Sequence, residues 1–275
     1  MAAKTYNILA IGVIIAVLLY FYLAPFKVPE SFVDTETYTA VMIEPRAHKA
    51  FEFVMDNFLT NLDTKWNFIV FHGTENENYV KDILKTKFAN QSSRITTMSL
   101  GVPNLSLDEY SAYMMKRDFL DKIPTEVFLL FQTDSMICPS FKDKINMFIQ
   151  YDYVGAPWAW SHPPWRQPKK NPTSEDGVGN GGLSLRRKTK MLEIIEKCPV
   201  QKPEPEDTFF ALPCDAVKIN KPSSELAKEF SMEGVYSENS FGLHKTWVPW
   251  HLGESYNQQI NNWCEGYNTL VDLNR

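Results

Sequence analysis

The chain has 275 residues and a formal net charge of −5, with 28 Lys and Arg against 33 Asp and Glu. Its basic residues are scattered, so the sequence offers no basic stripe for a nucleic-acid backbone and excludes that partner class. Aromatic residues make up 13% of the chain and include seven Trp, a composition that argues against disorder. A chain of this length can bury a full core in one large domain or two small ones.

Residues 8–24 form a continuous apolar stretch, interrupted only by Gly12 and tyrosines, after a short tail at 1–7. Crossing a bilayer takes roughly 17–25 residues, so the stretch predicts a transmembrane helix. A cleaved signal peptide is the alternative. Tyr22 breaks the small-x-small pattern before Ala24, which favours an uncleaved signal anchor.

The charges around the apolar stretch predict its orientation. Lys4 precedes it, whereas acidic residues outnumber Lys27 after it. The positive-inside rule then favours a single-pass type II protein with a lumenal (Golgi- or ER-like) or external body. Residues 25–38 mix Pro, Ser and acidic residues and predict a stem. Residues 39–275 are then expected to form the folded domain of the protein.

The four cysteines contain no C-x-x-C pair, so no structural zinc site is expected. Cys198 and Cys214 can pair in an oxidising compartment, and four free, mostly buried thiols fit the sequence equally well. Two N-glycosylation sequons begin at Asn90 and Asn104. They matter only if the body is lumenal.

Strand-like apolar runs alternate with helical patterns in the first half of the body. The predicted strands are 39–43, 66–71, 94–100 and 126–131, and the predicted helices are 48–61, 76–86 and 106–119. Ser106 and Glu109 predict a capping box for the last helix. This alternation is typical of an α/β fold with an open, mostly parallel sheet flanked by helices.

The pattern loosens after the fourth strand. Residues 141–150 predict a short helix, residues 153–172 a long loop, and residues 183–185 the start of a further strand. A loop of this length is where a lid or an acceptor-binding insert would lie.

The fourth strand ends in the polar sequence Gln132-Thr133-Asp134-Ser135. In open α/β sheets, ligands bind at the carboxyl ends of the strands. Gln132 offers an amide oxygen and Asp134 a carboxylate, and hard divalent cations prefer oxygen ligands. A simple capped strand end would have a similar sequence, so the interpretation depends on later segments.

Five motifs follow one another in the order 131–135, 151–158, 179–186, 206–210 and 241–247. Together they resemble a poorly characterised family of glycosyltransferase-like domains, which is similar to the GT-A class of nucleotide-sugar-dependent glycosyltransferases. The resemblance covers about residues 39–250, and Gly-Asn-Gly-Gly-x-Ser-Leu-Arg is its most specific part. It implies a GT-A-like nucleotide-binding sheet, a divalent cation (usually manganese, Mn²⁺), a UDP- or GDP-sugar donor and a glycan or other hydroxyl acceptor.

The metal motif departs from the Asp-x-Asp of the broader class, because Gln132 replaces the first Asp. A neutral ligand predicts weaker cation binding, or leaves Asp134 and a later His to hold the ion. The resemblance implies that His244 is this second ligand and that Lys245 neutralises the diphosphate. A turn histidine beside a surface lysine is the alternative.

Two further segments supply candidate site residues. An inverting transferase needs a carboxylate base, for which Asp207 is the first choice and Glu206 the second, although acids also suit a helix N-terminus. Asn180, Gly181 and Gly182 predict close backbone approach or positive φ, with Asn180 binding sugar hydroxyls.

Glu44 and Arg46 follow the first strand, where the base or ribose of the donor is expected. Four aromatic side chains are candidates either for stacking on sugars or for core packing: Tyr153, Trp158, Trp160 and Trp165.

The sequence therefore predicts a membrane-anchored, metal-assisted, inverting glycosyltransferase. A non-catalytic glycan- or nucleotide-binding protein on the same fold is the first alternative, with Gln132 as a sign of lost metal chemistry. A glycoside hydrolase is the second, in which Asp134 and Asp207 would have to flank the sugar about 5–10 Å apart.

Overall fold

A computed structural model describes residues 37–159, 177–200 and 204–275. The predicted tail, the transmembrane segment at 8–24 and most of the stem lie outside the described residues, as do Trp160 and Trp165. None of the helices that the model describes has the length and apolar character needed to cross a membrane.

A six-stranded sheet with the order β3-β2-β1-β4-β7-β6 forms the centre of the fold. Its strands are β1 (Tyr38–Glu44), β2 (Trp66–His72), β3 (Ile95–Ser99), β4 (Val127–Phe131), β6 (Tyr153–Val154) and β7 (Leu183–Arg187). The first four run parallel, whereas β7 is antiparallel to β4 and β6 is antiparallel to β7. The predicted mostly parallel sheet is thus confirmed, with a reversed strand beside β4.

A second, three-stranded sheet has the order β5-β9-β8. It consists of β5 (Ser135–Ile137), β8 (Ser231–Met232) and β9 (Gly242–His244). Because β5 and β9 are antiparallel, Ser135 pairs with His244. This pairing brings a residue more than a hundred positions away next to the end of β4.

Helices cover both faces of the central sheet. They are α1 (Phe51–Asn61), α2 (Glu77–Lys87), α3 (Leu107–Met114), α4 (Arg117–Leu120), α5 (Lys188–Lys197), α6 (Glu206–Ala211), α7 (Ser224–Ala227), α8 (Asn257–Asn261) and α9 (Tyr267–Leu273). Alternate residues of β1 enter two separate cores: Ala40 and Met42 pack with α1 and α9, whereas Val41 and Ile43 pack with α4 and α5. Both faces are buried, which explains why these strands are apolar throughout.

The element boundaries follow the predictions closely, with three differences. Tyr153 and Val154, predicted as the start of a long loop, form strand β6 and pair with β7. The capping box of Ser106 and Glu109 forms as predicted. The predicted helix at 106–119 breaks at Lys116, whose backbone is extended, so that Phe119 turns into the core. The segment predicted as a helix at 141–150 is a 3₁₀ helix, Pro139–Met147.

All four cysteines form disulfides, Cys138–Cys264 and Cys198–Cys214. The alternative of four free thiols is therefore wrong. Cys138 follows β5 and Cys264 precedes α9, so the first bond ties the C-terminal helices to the strand after Asp134. The second joins the end of α5 to the loop after α6.

Candidate active site

The reversed direction of β7 explains how the site forms. Phe131, the last residue of β4, pairs with Leu183, the first residue of β7. The end of one strand and the start of its neighbour therefore lie at the same edge of the sheet. Asp134 follows β4 at this edge, and residues 179–182, here called the glycine cluster, precede β7.

Two basic side chains from the end of β9 surround the Asp134 carboxylate. His244 Nε2 lies 3.2 Å from Asp134 Oδ1, and Lys245 Nζ lies 3.4 Å from Asp134 Oδ2. The Lys245 backbone has a φ of 47° and donates its N–H to the Asp134 carbonyl, 2.9 Å away. The predicted metal ligands and the predicted diphosphate lysine are thus in contact.

The Asp134–His244 pair fits a divalent cation. Asp134 Oδ1 and His244 Nε2 are buried and form no hydrogen bond, although they face each other at 3.2 Å. Two neighbouring ligands on an octahedral cation, with bonds of about 2.1–2.3 Å, lie about 3.0–3.3 Å apart. No group of three His, Cys, Asp or Glu side chains in the described ranges is arranged to hold a metal. The remaining ligands would have to come from substrate or water.

The charges of this pair depend on each other. Burial alone would lower the pKa of His244, but the carboxylates of Asp134 and Glu233 outweigh it and raise the pKa to about 10. Burial alone would raise the pKa of Asp134, but His244 and Lys245 hold it below its ordinary value. Without a cation, the imidazole is therefore protonated and the carboxylate is ionised at neutral pH.

The glycine cluster connects this pair to the acidic residues of α6. A Cβ on Gly182 would overlap the His244 ring. A Cβ on Gly181 would lie 2.7 Å from Glu206 Oε1 and 2.9 Å from Asp207 Cβ. Neither glycine has positive φ, so the close approach of neighbouring side chains explains why these positions are glycine. The Asp134–His244 pair, the glycine cluster and the acidic pair Glu206–Asp207 thus form one continuous site.

Replacing Gly182 by Ala should move the His244 imidazole and leave the other charged groups of the site in place. We expect Mn²⁺ affinity to fall more than tenfold with the fold retained, because the added methyl occupies the position of the ring. Manganese titration and thermal unfolding measure the two properties. Gly181→Ala provides the contrast, since it disturbs Asp207 and should spare Mn²⁺ affinity. Equal Mn²⁺ affinity in both variants would contradict this geometry.

Glu206 is not available as a base. Arg186 Nη1 and Nη2 donate to its two carboxylate oxygens at 2.5 and 3.1 Å. Arg186 is 1% exposed and stacks over Tyr153 and Phe210. The pair is thus a buried structural ion pair. Tyr153 is fully buried and cannot stack on a sugar.

Breaking this ion pair should destabilise the protein strongly. We expect Glu206→Gln to lower the free energy of unfolding by about 3–5 kcal/mol, because it leaves Arg186 as a buried charge without a charged partner. Urea denaturation measures the change. Glu225→Gln is the matched control, since that side chain is 84% exposed, and surface changes usually stay within about 0.5 kcal/mol. Equal losses in both variants would contradict the assignment.

Asp207 is the less buried of the two carboxylates of α6. It is half-buried, and its Oδ1 accepts the Thr208 N–H at 2.6 Å. Burial and the neighbouring charge of Glu206 raise the pKa of Asp207 to about 7. A base for neutral pH needs a pKa in this range.

Asn180 has a different environment from the one predicted. Its Oδ1 accepts the Gly182 N–H at 3.0 Å and its Nδ2 donates to Glu233 Oε2. At 8% exposure the side chain closes the turn internally instead of facing sugar hydroxyls. Trp158 is half-buried against Gly179 and the core, which leaves part of its ring accessible.

The residues predicted to meet the nucleotide lie at the same edge of the sheet. Glu44 is buried and accepts hydrogen bonds from Arg46 Nε at 2.8 Å and from Thr133 Oγ1 at 2.9 Å. Arg46 itself is 60% exposed, so Glu44 orients a guanidinium that faces solvent. Gln132 Nε2 donates to the Tyr110 hydroxyl at 3.1 Å.

Sequence reasoning missed two residues of the site. Glu233 Oε1 lies 2.9 Å from His244 Nδ1 and 3.2 Å from His251 Nε2. Neither Glu233 nor His251 lies in a segment with a periodic sequence pattern. Only the position of Glu233, directly after the two-residue strand β8, could have drawn attention to it.

Comparison with solved structures shows a fold similar to that of a glycosyltransferase. The glycosyltransferase GlyE of Streptococcus pneumoniae TIGR4 is similar at a TM-score of 0.50 and 12% identity, over 86% of this chain and 62% of GlyE. Its apo form gives a TM-score of 0.47 at 11% identity over the same shares of both chains. A putative glucose-1-phosphate thymidylyltransferase from Bacillus anthracis, in complex with a sucrose, gives 0.39 at 9% identity over 59% of this chain and 76% of that one. The likeness to GlyE shows the fold alone, and this chain spans less than two thirds of GlyE.

The sequence also identifies a family. Residues 94–244, more than half of the chain, match the family described as "Protein of unknown function (DUF5672)", and the chain belongs to this family. The matched region ends at His244. No curated protein matches the chain in sequence.

Proposed function

We propose that the protein is a glycosyltransferase that moves a sugar from a UDP- or GDP-sugar to a glycan or other hydroxyl acceptor, with inversion and with the help of a divalent cation such as Mn²⁺. The observation that carries the proposal is the continuous contact from Asp134 through His244 and the glycine cluster to Asp207. A transferase needs a diphosphate site and a base in one place, and these residues would supply both in the proposed reaction.

The diphosphate side of the site uses Asp134, His244 and Lys245. As the glycosidic bond breaks, the leaving diphosphate gains negative charge, which a bound cation neutralises as a Lewis acid. Asp134 Oδ1 and His244 Nε2 are the atoms that would hold the cation, because neither has another partner. Lys245, whose side chain is 41% exposed, adds positive charge toward the diphosphate.

The acceptor side of the site uses Asp207. In an inverting reaction the base takes the proton of the acceptor hydroxyl while that oxygen attacks the sugar carbon. Asp207 lies across the glycine cluster from His244, so a sugar lying against those glycines would have the diphosphate on one side and the base on the other. Glu206 acts indirectly, because its charge raises the pKa of Asp207.

The remaining predicted contacts have supporting roles in this proposal. Arg46, held by Glu44, would bind the base, ribose or phosphates of the donor. The accessible part of Trp158 would contact the acceptor. Asn180 shapes the turn instead of binding the sugar.

A binding protein without catalysis is the second candidate. The observation that favours it is Gln132, which replaces a charged metal ligand and commits its amide N–H to Tyr110. On this reading the site binds a nucleotide or glycan without turnover.

We also propose that the body resides in an oxidising compartment, as a type II membrane protein anchored by residues 8–24. Two disulfides and no free cysteine support this location, because disulfides persist mainly in such compartments. Asn90 and Asn104 of the two sequons are both exposed. If glycosidase treatment of the protein from eukaryotic cells fails to shift its mass, the lumenal location loses this support.

A donor screen tests the function. The full-length protein is incubated with UDP- and GDP-sugars and Mn²⁺, and released nucleoside diphosphate is measured with and without glycan acceptors. We expect metal-dependent turnover of one donor. Nucleotide binding without turnover would favour the binding protein, and donor-free cleavage of an oligosaccharide would favour the hydrolase.

A further inference from the structure

Glu233 is a buried carboxylate with three polar neighbours. It is 4% exposed and lies directly after β8. Its Oε1 is 2.9 Å from His244 Nδ1 and 3.2 Å from His251 Nε2, and its Oε2 accepts the amide N–H of Asn180. A buried carboxylate costs several kcal/mol unless its partners compensate, so this arrangement calls for an explanation.

The position of Glu233 relative to the imidazole provides one. Glu233 contacts Nδ1 of His244, whereas Asp134 faces Nε2 on the other side of the ring. Glu233 and Asp134 therefore lie at different nitrogens of the imidazole ring, so Glu233 cannot bind the cation that Asp134 and His244 Nε2 would share. It can instead accept the Nδ1–H proton, which leaves the Nε2 lone pair directed at the cation. Carboxylates that hold a metal-binding histidine in this way fix its orientation and increase its basicity.

We propose that Glu233 is a positioning residue that presents His244 Nε2 to the cation, and that Asn180 and His251 hold Glu233 in place. This inference rests on the proposed function, because it assumes the cation at Asp134 and His244. It also explains why Asn180 faces inward: one amide closes the glycine turn through Gly182 and at the same time orients Glu233. The glycine cluster thus contacts His244 in two ways. Gly182 packs against its ring, and Asn180 contacts Glu233, which in turn contacts His244 Nδ1.

Mn²⁺ affinity tests the proposal without relying on activity. The full-length protein is titrated with Mn²⁺ in the presence of UDP or GDP, and free Mn²⁺ is followed by electron paramagnetic resonance. We expect Glu233→Ala to weaken binding about 10–100-fold, as loss of such a partner typically does. Glu233→Gln should lose less, because its amide oxygen can still accept the Nδ1–H. His251→Ala, which leaves the carboxylate in place, should show the smallest loss.

Two controls separate positioning from general damage. Glu229→Gln changes a half-exposed carboxylate just before β8, paired with Lys144, and should leave Mn²⁺ affinity unchanged. Thermal unfolding and circular dichroism show whether each variant is folded. If Glu233→Ala does not fold, Glu233→Gln and His251→Ala still give the ordered series of affinities.

The outcomes distinguish this inference from the proposed function. If His244→Ala loses Mn²⁺ binding while folded Glu233 variants bind within threefold of the unmodified protein, only the role of Glu233 is overturned. If the unmodified protein binds no Mn²⁺ with either nucleotide, both the metal site and the role of Glu233 are overturned. The order unmodified, Gln, Ala in decreasing affinity supports the proposal.

Discussion

Asp134→Asn should reduce donor turnover at least about 100-fold, since a metal ion contributes several kcal/mol of charge stabilisation in the transition state. The substitution keeps the size of the side chain and removes the charge that faces both His244 and Lys245. Mn²⁺ affinity should fall together with turnover, because Asp134 Oδ1 is one of two protein atoms available to the cation. Donor turnover and Mn²⁺ titration on the same preparation provide the measurement.

Asp143→Asn is the matched control for this prediction. Asp143 is an exposed aspartate in the 3₁₀ helix that follows β5, away from the site. Its variant should retain full turnover and metal affinity. If Asp134→Asn behaves like this control while remaining folded, Asp134 is not a metal ligand.

Asp207→Asn should stop sugar transfer and spare donor binding. Removing a general base typically costs about 10²–10⁴-fold in rate. Asparagine can still accept the Thr208 N–H through its side-chain oxygen, so the start of α6 should remain intact. Transfer assays with acceptor, combined with nucleotide titration, separate the two effects. Transfer at the unmodified rate would place the base elsewhere.

The pH dependence follows from the same residue. The pKa of Asp207 is raised to about 7 by burial and by Glu206. A base works in its deprotonated form, so transfer by the unmodified protein should rise with pH and level off above about pH 7. A flat rate between pH 5 and 8 would contradict the assignment, as those bounds lie about one to two units on either side of the transition.

The free energy of unfolding should decrease as pH rises, whereas the transfer rate should increase. An unfolded aspartate has a pKa of about 3.9, so between that value and about 7 the folded protein binds more protons than the unfolded chain. The folded state therefore loses stability as pH rises through this range. Asp207→Asn should remove this loss and raise the melting temperature at neutral pH. A gain in stability with a loss of transfer is typical of a catalytic group.

The sequence predicts the parts of the fold that depend on local patterns. The alternation of apolar runs with helical segments was sufficient to predict β1 to β4. The capping box could be predicted from two residues three positions apart, Ser106 and Glu109. The reversed direction of β7 could not be predicted in this way. Its sequence, Leu-Ser-Leu-Arg-Arg, alternates apolar and polar residues and is buried on both faces except at Arg187. Such an alternation is the same for a strand running in either direction, so it carries no information about direction.

The site was predictable where one motif carries one chemical group. Asp134, His244 and Asp207 are such cases, and the structure brings them together although it does not test their roles. The buried environments of Glu206 and Asn180 could not be predicted, because their partners, Arg186 and Glu233, lie 20 and 53 residues away along the chain. Cys138–Cys264 was missed for the same reason, at a separation of 126 residues. Side chains satisfied by distant partners cannot be recognised from spacing.

The antiparallel pair of β6 and β7 has a consequence for how relatives can diversify. Because β6 runs with β4 and β7 runs against it, the end of β6 and the start of β7 lie at one border of the sheet. Insertions in the connection between them would change what surrounds the reaction centre without shifting either strand. Closing a longer connection costs little, since each doubling of its length adds only about 0.6 kcal/mol. In the proposed transferase, acceptor preference can therefore change through this connection while Asp134, His244 and Asp207 stay in place.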